Sequence, residues 1–222
     1  MSVLLFKRFL AKPFQVAYIL PSSKTLTRKV AAKCDFSEPR ILVELGPGEG
    51  CHTREIVKRM HPGSRLLLFE IDPVLAEHLR KQFAHDPRVE VLQQDAALLK
   101  EELQKRGLEY CDYVVSGVPF SMLDVPTKKR ILNAVYASLA PTPLAAFVVY
   151  QCTHELKRHA TMFARVHSEY CLHNIPPIFV TVYHKMPLNG QPAHNGNGKD
   201  ANHAAPCCCA ASAKTKTANG CN

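Results

Sequence analysis

The chain has 222 residues, 46% of them hydrophobic and 21% charged, which suits one globular domain with appendages and leaves no room for two independent enzymatic domains. A formal charge of +9 points to an anionic partner, either nucleic acid or an acidic membrane surface. Of the nine cysteines, Cys34, Cys51, Cys111, Cys152 and Cys171 show no paired metal-ligand spacing and the other four lie in a polar tail, and no run of about 18 apolar residues predicts a membrane span.

In chain order, residues 1–33 form a leader with seven basic residues and no acidic one. Its apolar side chains alternate with Lys7, Arg8 and Lys12, so the leader is expected to form amphipathic helices. Phe6 and Phe9 would enter the acyl boundary of a membrane while Lys7, Arg8 and Lys12 meet anionic headgroups. Packing on the chain's own domain is the alternative. Residues 34–186 read as strands at 40–45, 65–71, 89–93, 113–116 and 145–151, alternating with helices at 51–60, 73–83, 97–106 and 126–139. The second and fourth helices open with proline in the first turn. A helix over 155–163 and strands at 166–172 and 179–184 follow, the last two forming an antiparallel hairpin. This pattern predicts an α/β, Rossmann-like fold with a mostly parallel, seven-stranded sheet and an antiparallel last strand. Residues 187–222 have almost no large apolar side chains and are expected to be a disordered tail.

The turn after the first strand carries Gly46, Pro47, Gly48 and Gly50 and opens a helix, as ligand-approached βα turns do. The dinucleotide fingerprint would need glycine at 51, where cysteine stands, so NAD is disfavoured. Glu44, two residues before the first glycine, would repel pyrophosphate and suits a cofactor bearing a sulfonium and an ammonium group. Glu70, at the end of the second strand with Ile71 beside it, is placed to accept ribose hydroxyls. Asp95, followed by Ala96, is placed for the adenine amine. Three acids at the carboxyl ends of successive strands therefore predict S-adenosyl-L-methionine as cofactor, and no metal.

These positions, with Ser116, Gly117, Val118, Pro119 and Phe120, resemble the successive motifs of class I S-adenosylmethionine-dependent methyltransferases. More narrowly, residues 14–23, 116–120 and 174–177 resemble bacterial phospholipid N-methyltransferases, relatives of the ribosomal RNA adenine dimethyltransferases. The resemblance implies stepwise methylation of phosphatidylethanolamine towards phosphatidylcholine by a monomer at the inner face of a membrane. Another amine lipid such as an ornithine lipid, adenine in ribosomal RNA, and a non-catalytic membrane-binding module are the alternatives. Adenine-directed relatives place Asn or Asp two residues before Pro-Phe or Pro-Tyr, and this chain has Gly117 there, which argues against a nucleic-acid acceptor. For the acceptor site, Tyr18 and Phe120 are expected to position the amine, through cation–π attraction, and Ser22, Ser23, Pro119, His154 and Arg158 to bind the lipid.

Overall fold

Short apolar runs alternating with amphipathic segments can bury both faces only if helices cover each side of a parallel sheet. The computed structural model describes residues 22–172, 174 and 177–185, without the side chains of 165 and 166. The runs become β1 (Ile41–Leu45), β2 (Arg65–Phe69), β3 (Val89–Leu92), β4 (Tyr113–Ser116) and β5 (Ala146–Gln151), paired in parallel in the order β3-β2-β1-β4-β5. Beyond β5, the hairpin of β6 (Phe163–Cys171) and β7 (Ile178–Lys185) completes seven strands, with β7 antiparallel to both β5 and β6. The helices are α1 (Lys24–Ala31), α2 (Cys51–Arg59), α3 (Pro73–Gln82), α4 (Leu99–Lys105) and α5 (Val125–Ser138).

Alternation along each strand divides the core in two. Val43, Leu45, Leu67, Phe69, Phe147 and Val149 face one cluster with residues of α4 and α5. Leu42, Leu66, Leu68, Ala146 and Val148 face the other, with Leu26 and Val30 of α1, Ile56 of α2 and Leu79 of α3. Glu44 and Tyr150 share strand parity with this second set, so both belong to the face covered by α1, α2 and α3. The order turns back between β1 and β4, opening a crevice at their carboxyl ends.

Helix starts follow local chemistry. Asp72 caps α3 by accepting from the amides of Val74 and Leu75, with Pro73 in the first turn; Asp124 accepts from Thr127 ahead of α5. Ser23 caps α1 in the same way.

Three expectations need correction. Residues 155–163 make only a 3-10 turn at Glu155–Arg158, and Phe163 already belongs to β6. Its ring packs 5.7 Å from Phe147 and 6.1 Å from Tyr183, and this aromatic burial draws the segment into the sheet instead of a helix. The third helix starts at Leu99, after a 3-10 turn over Ala96–Leu98 capped by Asp95. Last, α1 is part of the domain core through Leu26 and Val30, so the boundary drawn at residue 33 moves ahead of α1. Residues 1–21, with Phe6, Lys7, Arg8, Phe9, Lys12 and Tyr18, and the tail from 186 lie outside the described residues.

Candidate active site

Gly46, Gly48 and Gly50 all adopt positive φ (66°, 59° and 76°), the conformation for which the turn needs glycine. At Gly50 the backbone also leaves no space, since a Cβ would lie 3.1 Å from Leu79 and 3.2 Å from Phe83. The turn is tied to the end of β2: Glu70 accepts from the amide of Gly48 at 3.1 Å and from that of Asp72 at 3.0 Å. Glu70 thus pins the turn, a role beyond the ribose contact expected of it. Each of its oxygens retains a second lone pair for a ribose hydroxyl. Burial raises its pKa.

Glu44 is fully buried at the end of β1. One oxygen accepts from the hydroxyl of Thr53 at 2.7 Å, and the other has no hydrogen-bond partner among the described residues. Burial, reinforced by the nearby charge of Glu70, pushes its pKa up to about 7. Among the described residues no cation is hydrogen-bonded to this orphaned oxygen, Arg54 acting on the carboxyl only through its charge, and the ammonium group of S-adenosylmethionine would suit it. The donor set fits that cofactor and would repel a pyrophosphate.

At the ends of β2 and β3, Ile71 exposes 71% of its surface beside Glu70, an apolar patch suited to a flat base. Asp95 caps the Ala96 turn through the amide of Ala97, with an Arg130 guanidinium nitrogen 3.9 Å away. At the end of β4, buried Ser116 accepts from the amide of Val118, whose carbonyl accepts from Gln151 at 2.9 Å. A Cβ at Gly117 would lie 2.9 Å from both Tyr150 Cζ and the carbonyl oxygen of Gly46, and closer still to the Tyr150 hydroxyl, so position 117 admits no side chain.

Comparison with known proteins agrees with this geometry. A family model described as ribosomal RNA adenine dimethylase matches residues 14–112. An ornithine lipid N-methyltransferase from Singulisphaera acidiphila is 36% identical over 138 residues, which span 60% of this chain and 72% of that protein. The chain belongs to the ribosomal RNA adenine dimethylase family of S-adenosylmethionine-dependent methyltransferases. A ribosomal RNA small subunit methyltransferase A from Mycoplasma capricolum is 30% identical over 45% of this chain, which spans only 36% of that relative. The crystal structure of TrmN from Thermus thermophilus superposes with a TM-score of 0.61 at 18% identity, covering 72% of this chain and 48% of that one.

S-Adenosylmethionine is therefore the methyl donor of this methyltransferase; Glu44, Gly46, Gly48, Glu70 and Asp95 at the ends of β1, β2 and β3 are the residues that would hold it. Bound, it supplies an electrophilic methyl group whose bond to sulfur breaks as an acceptor's lone pair attacks, the electron pair staying on sulfur.

The expected acceptor residues disperse. Phe120 is fully buried, edge-on to Phe147 at 6.5 Å, so it is core and presents no face to an amine. Ser23 caps α1, and its own amide donates to Asn174 at 2.9 Å. Ser22 pairs with Nε2 of His52 at 2.9 Å. Pro119 leads into a 3-10 turn, Phe120–Met122. His154 and Arg158 do come together, lining a cleft of about 440 Å³ with Glu155 and Lys157. Lys128 and His159 face Glu155 there, and His154 lies 3.8 Å from the Phe179 ring.

Thr53, His52, Tyr150 and Gln151 escaped the sequence reading. Thr53 alone had a signal: third in the helix after Gly50, it is where a side chain turns back towards the strand end.

Proposed function

We propose that this methyltransferase transfers methyl groups to the aliphatic amine of a membrane lipid, with an ornithine lipid as the acceptor and phosphatidylethanolamine second. The closed space at Gly117 carries the reading, because the side-chain acceptor that adenine-directed relatives place there for a planar amine has no room here. A relative that the chain matches over 72% of its length at 36% identity is named an ornithine lipid N-methyltransferase, which favours that lipid.

The rest is consistent in chemistry. Lys157 and Arg158 beside the cleft suit the carboxylate of an ornithine headgroup or the phosphate of a phospholipid. No helix among the described residues is long and apolar enough to cross a membrane. Reaching a lipid would then fall to the basic, apolar leader, lying in the interface of an anionic inner leaflet.

The test is labelled methyl transfer from S-adenosylmethionine to vesicles of anionic lipid containing either amine lipid, with ribosomal RNA as a third acceptor. Label should enter lipid, and ornithine lipid more than phosphatidylethanolamine. Label confined to RNA would overturn the reading.

A further inference from the structure

An aromatic column stands beside the cofactor turn. Tyr150, near the end of β5, stacks on His52 of α2 with ring centroids 4.0 Å apart and planes at 23°. His52 in turn meets Ser22 through Nε2, while its Nδ1 is buried with no hydrogen-bond partner among the described residues. Burial holds His52 neutral, with its pKa pushed down to about 3, and raises that of Tyr150 well above its usual value. A second phenylalanine-like core ring could fill the same space without an orphaned nitrogen, so packing alone does not explain the pair.

The hydroxyl of Tyr150 stands against Gly117 and close to the carbonyl of Gly46, where the donor's turn meets the end of β4. We infer that Tyr150 determines the acceptor: its hydroxyl oxygen accepts an N–H of the incoming amine, in the space a side chain at position 117 would take. A neutral hydroxyl is suited to this because it binds an uncharged amine and leaves the nitrogen lone pair free to attack. A carboxylate there would instead favour the ammonium form, which has no lone pair. The stack on His52 fixes the ring, so the hydroxyl needs no ordering when the lipid arrives. This rests on the amine-acceptor reading above.

The number of N–H bonds on the acceptor gives the test. An unmethylated or monomethylated amine can donate to Tyr150, and a neutral dimethylated amine has no N–H left. With the full-length protein and vesicles carrying each methylation state, Tyr150→Phe keeps the ring and its stack and removes only the hydroxyl. The first transfer should slow about tenfold or more, while transfer to the dimethylated amine and calorimetric affinity for S-adenosylmethionine stay within about twofold. Equal slowing of every step would mean a structural role, and an unchanged first step would mean no role; either overturns the inference. If the native enzyme labels RNA and no lipid, the lipid reading fails, and Tyr150 is judged on the RNA amine by whether Tyr150→Phe slows its first transfer. If neither is labelled, both readings fall.

Discussion

Glu44→Gln keeps the shape of a buried side chain and removes its titration. Its amide oxygen can still accept from Thr53, so the local packing should survive. In the native fold the carboxyl is pushed from 4.5 to about 7, a displacement that corresponds to about 3 kcal/mol. Because the folded chain holds the proton more tightly than the unfolded chain, this contribution is fully present below pH 4.5 and is lost as the pH rises to about 7. The native protein without cofactor should therefore lose up to about 3 kcal/mol between pH 4.5 and 8 from this site, and Glu44→Gln should not. Urea unfolding of both proteins at pH 5 and pH 8 measures the difference directly. Binding a cation should reverse the preference, so native protein should release close to one proton on binding S-adenosylmethionine at pH 6 and almost none at pH 8. Calorimetry in buffers of different ionisation enthalpy counts those protons. The glutamine variant should release none and bind about tenfold or more weakly, as expected for a lost charge-assisted contact. Parallel stability at both pH values would refute the reasoning.

Glu70→Ala should weaken cofactor binding about tenfold or more and lower stability by about 1–2 kcal/mol, because the amides of Gly48 and Asp72 lose their acceptor; calorimetry and urea unfolding read the two effects. Gly50→Ala should cost about 2 kcal/mol or more in urea, from a left-handed backbone and from the crowding of Leu79 and Phe83. Glu169 ties β6 to Lys29 of α1 and to Lys33 just beyond the helix end, and Lys33 chiefly lowers its pKa to about 2. Its contribution is present above pH 4.5 and lost as the pH falls towards 2. Glu169→Gln should expose α1 to faster trypsin cleavage at pH 7, for about 1 kcal/mol, with the difference shrinking in high salt.

The cofactor half of the site was legible because its determinants are local. Glycines at 46, 48 and 50 need their own φ values, and acids at 44, 70 and 95 need only the ends of three consecutive strands. Each role can be assigned without knowing which strands are neighbours. Even so, the roles were incomplete: that Glu70 pins the turn depends on the distance between β2 and Gly48, which no spacing reveals. The segment at 155–163 misled for a related reason. Its helical pattern is real, but Phe163 gains more by packing between Phe147 and Tyr183, and that gain exists only once β7 lies beside β5.

The acceptor half is non-local throughout. Phe120 reads as a motif aromatic placed to meet the amine until β5 brings Phe147 against it. Gly117 reads as a missing side chain, whereas the fold shows a space filled from the neighbouring strand: β5 pairs with β4, so Tyr150 lies beside the end of β4 on the face of Glu44. The absence noted in one motif and the hydroxyl overlooked in another strand are thus one feature. A substitution at 117 cannot be interpreted without Tyr150, and only variants of both positions together can separate loss of the acceptor contact from simple collision.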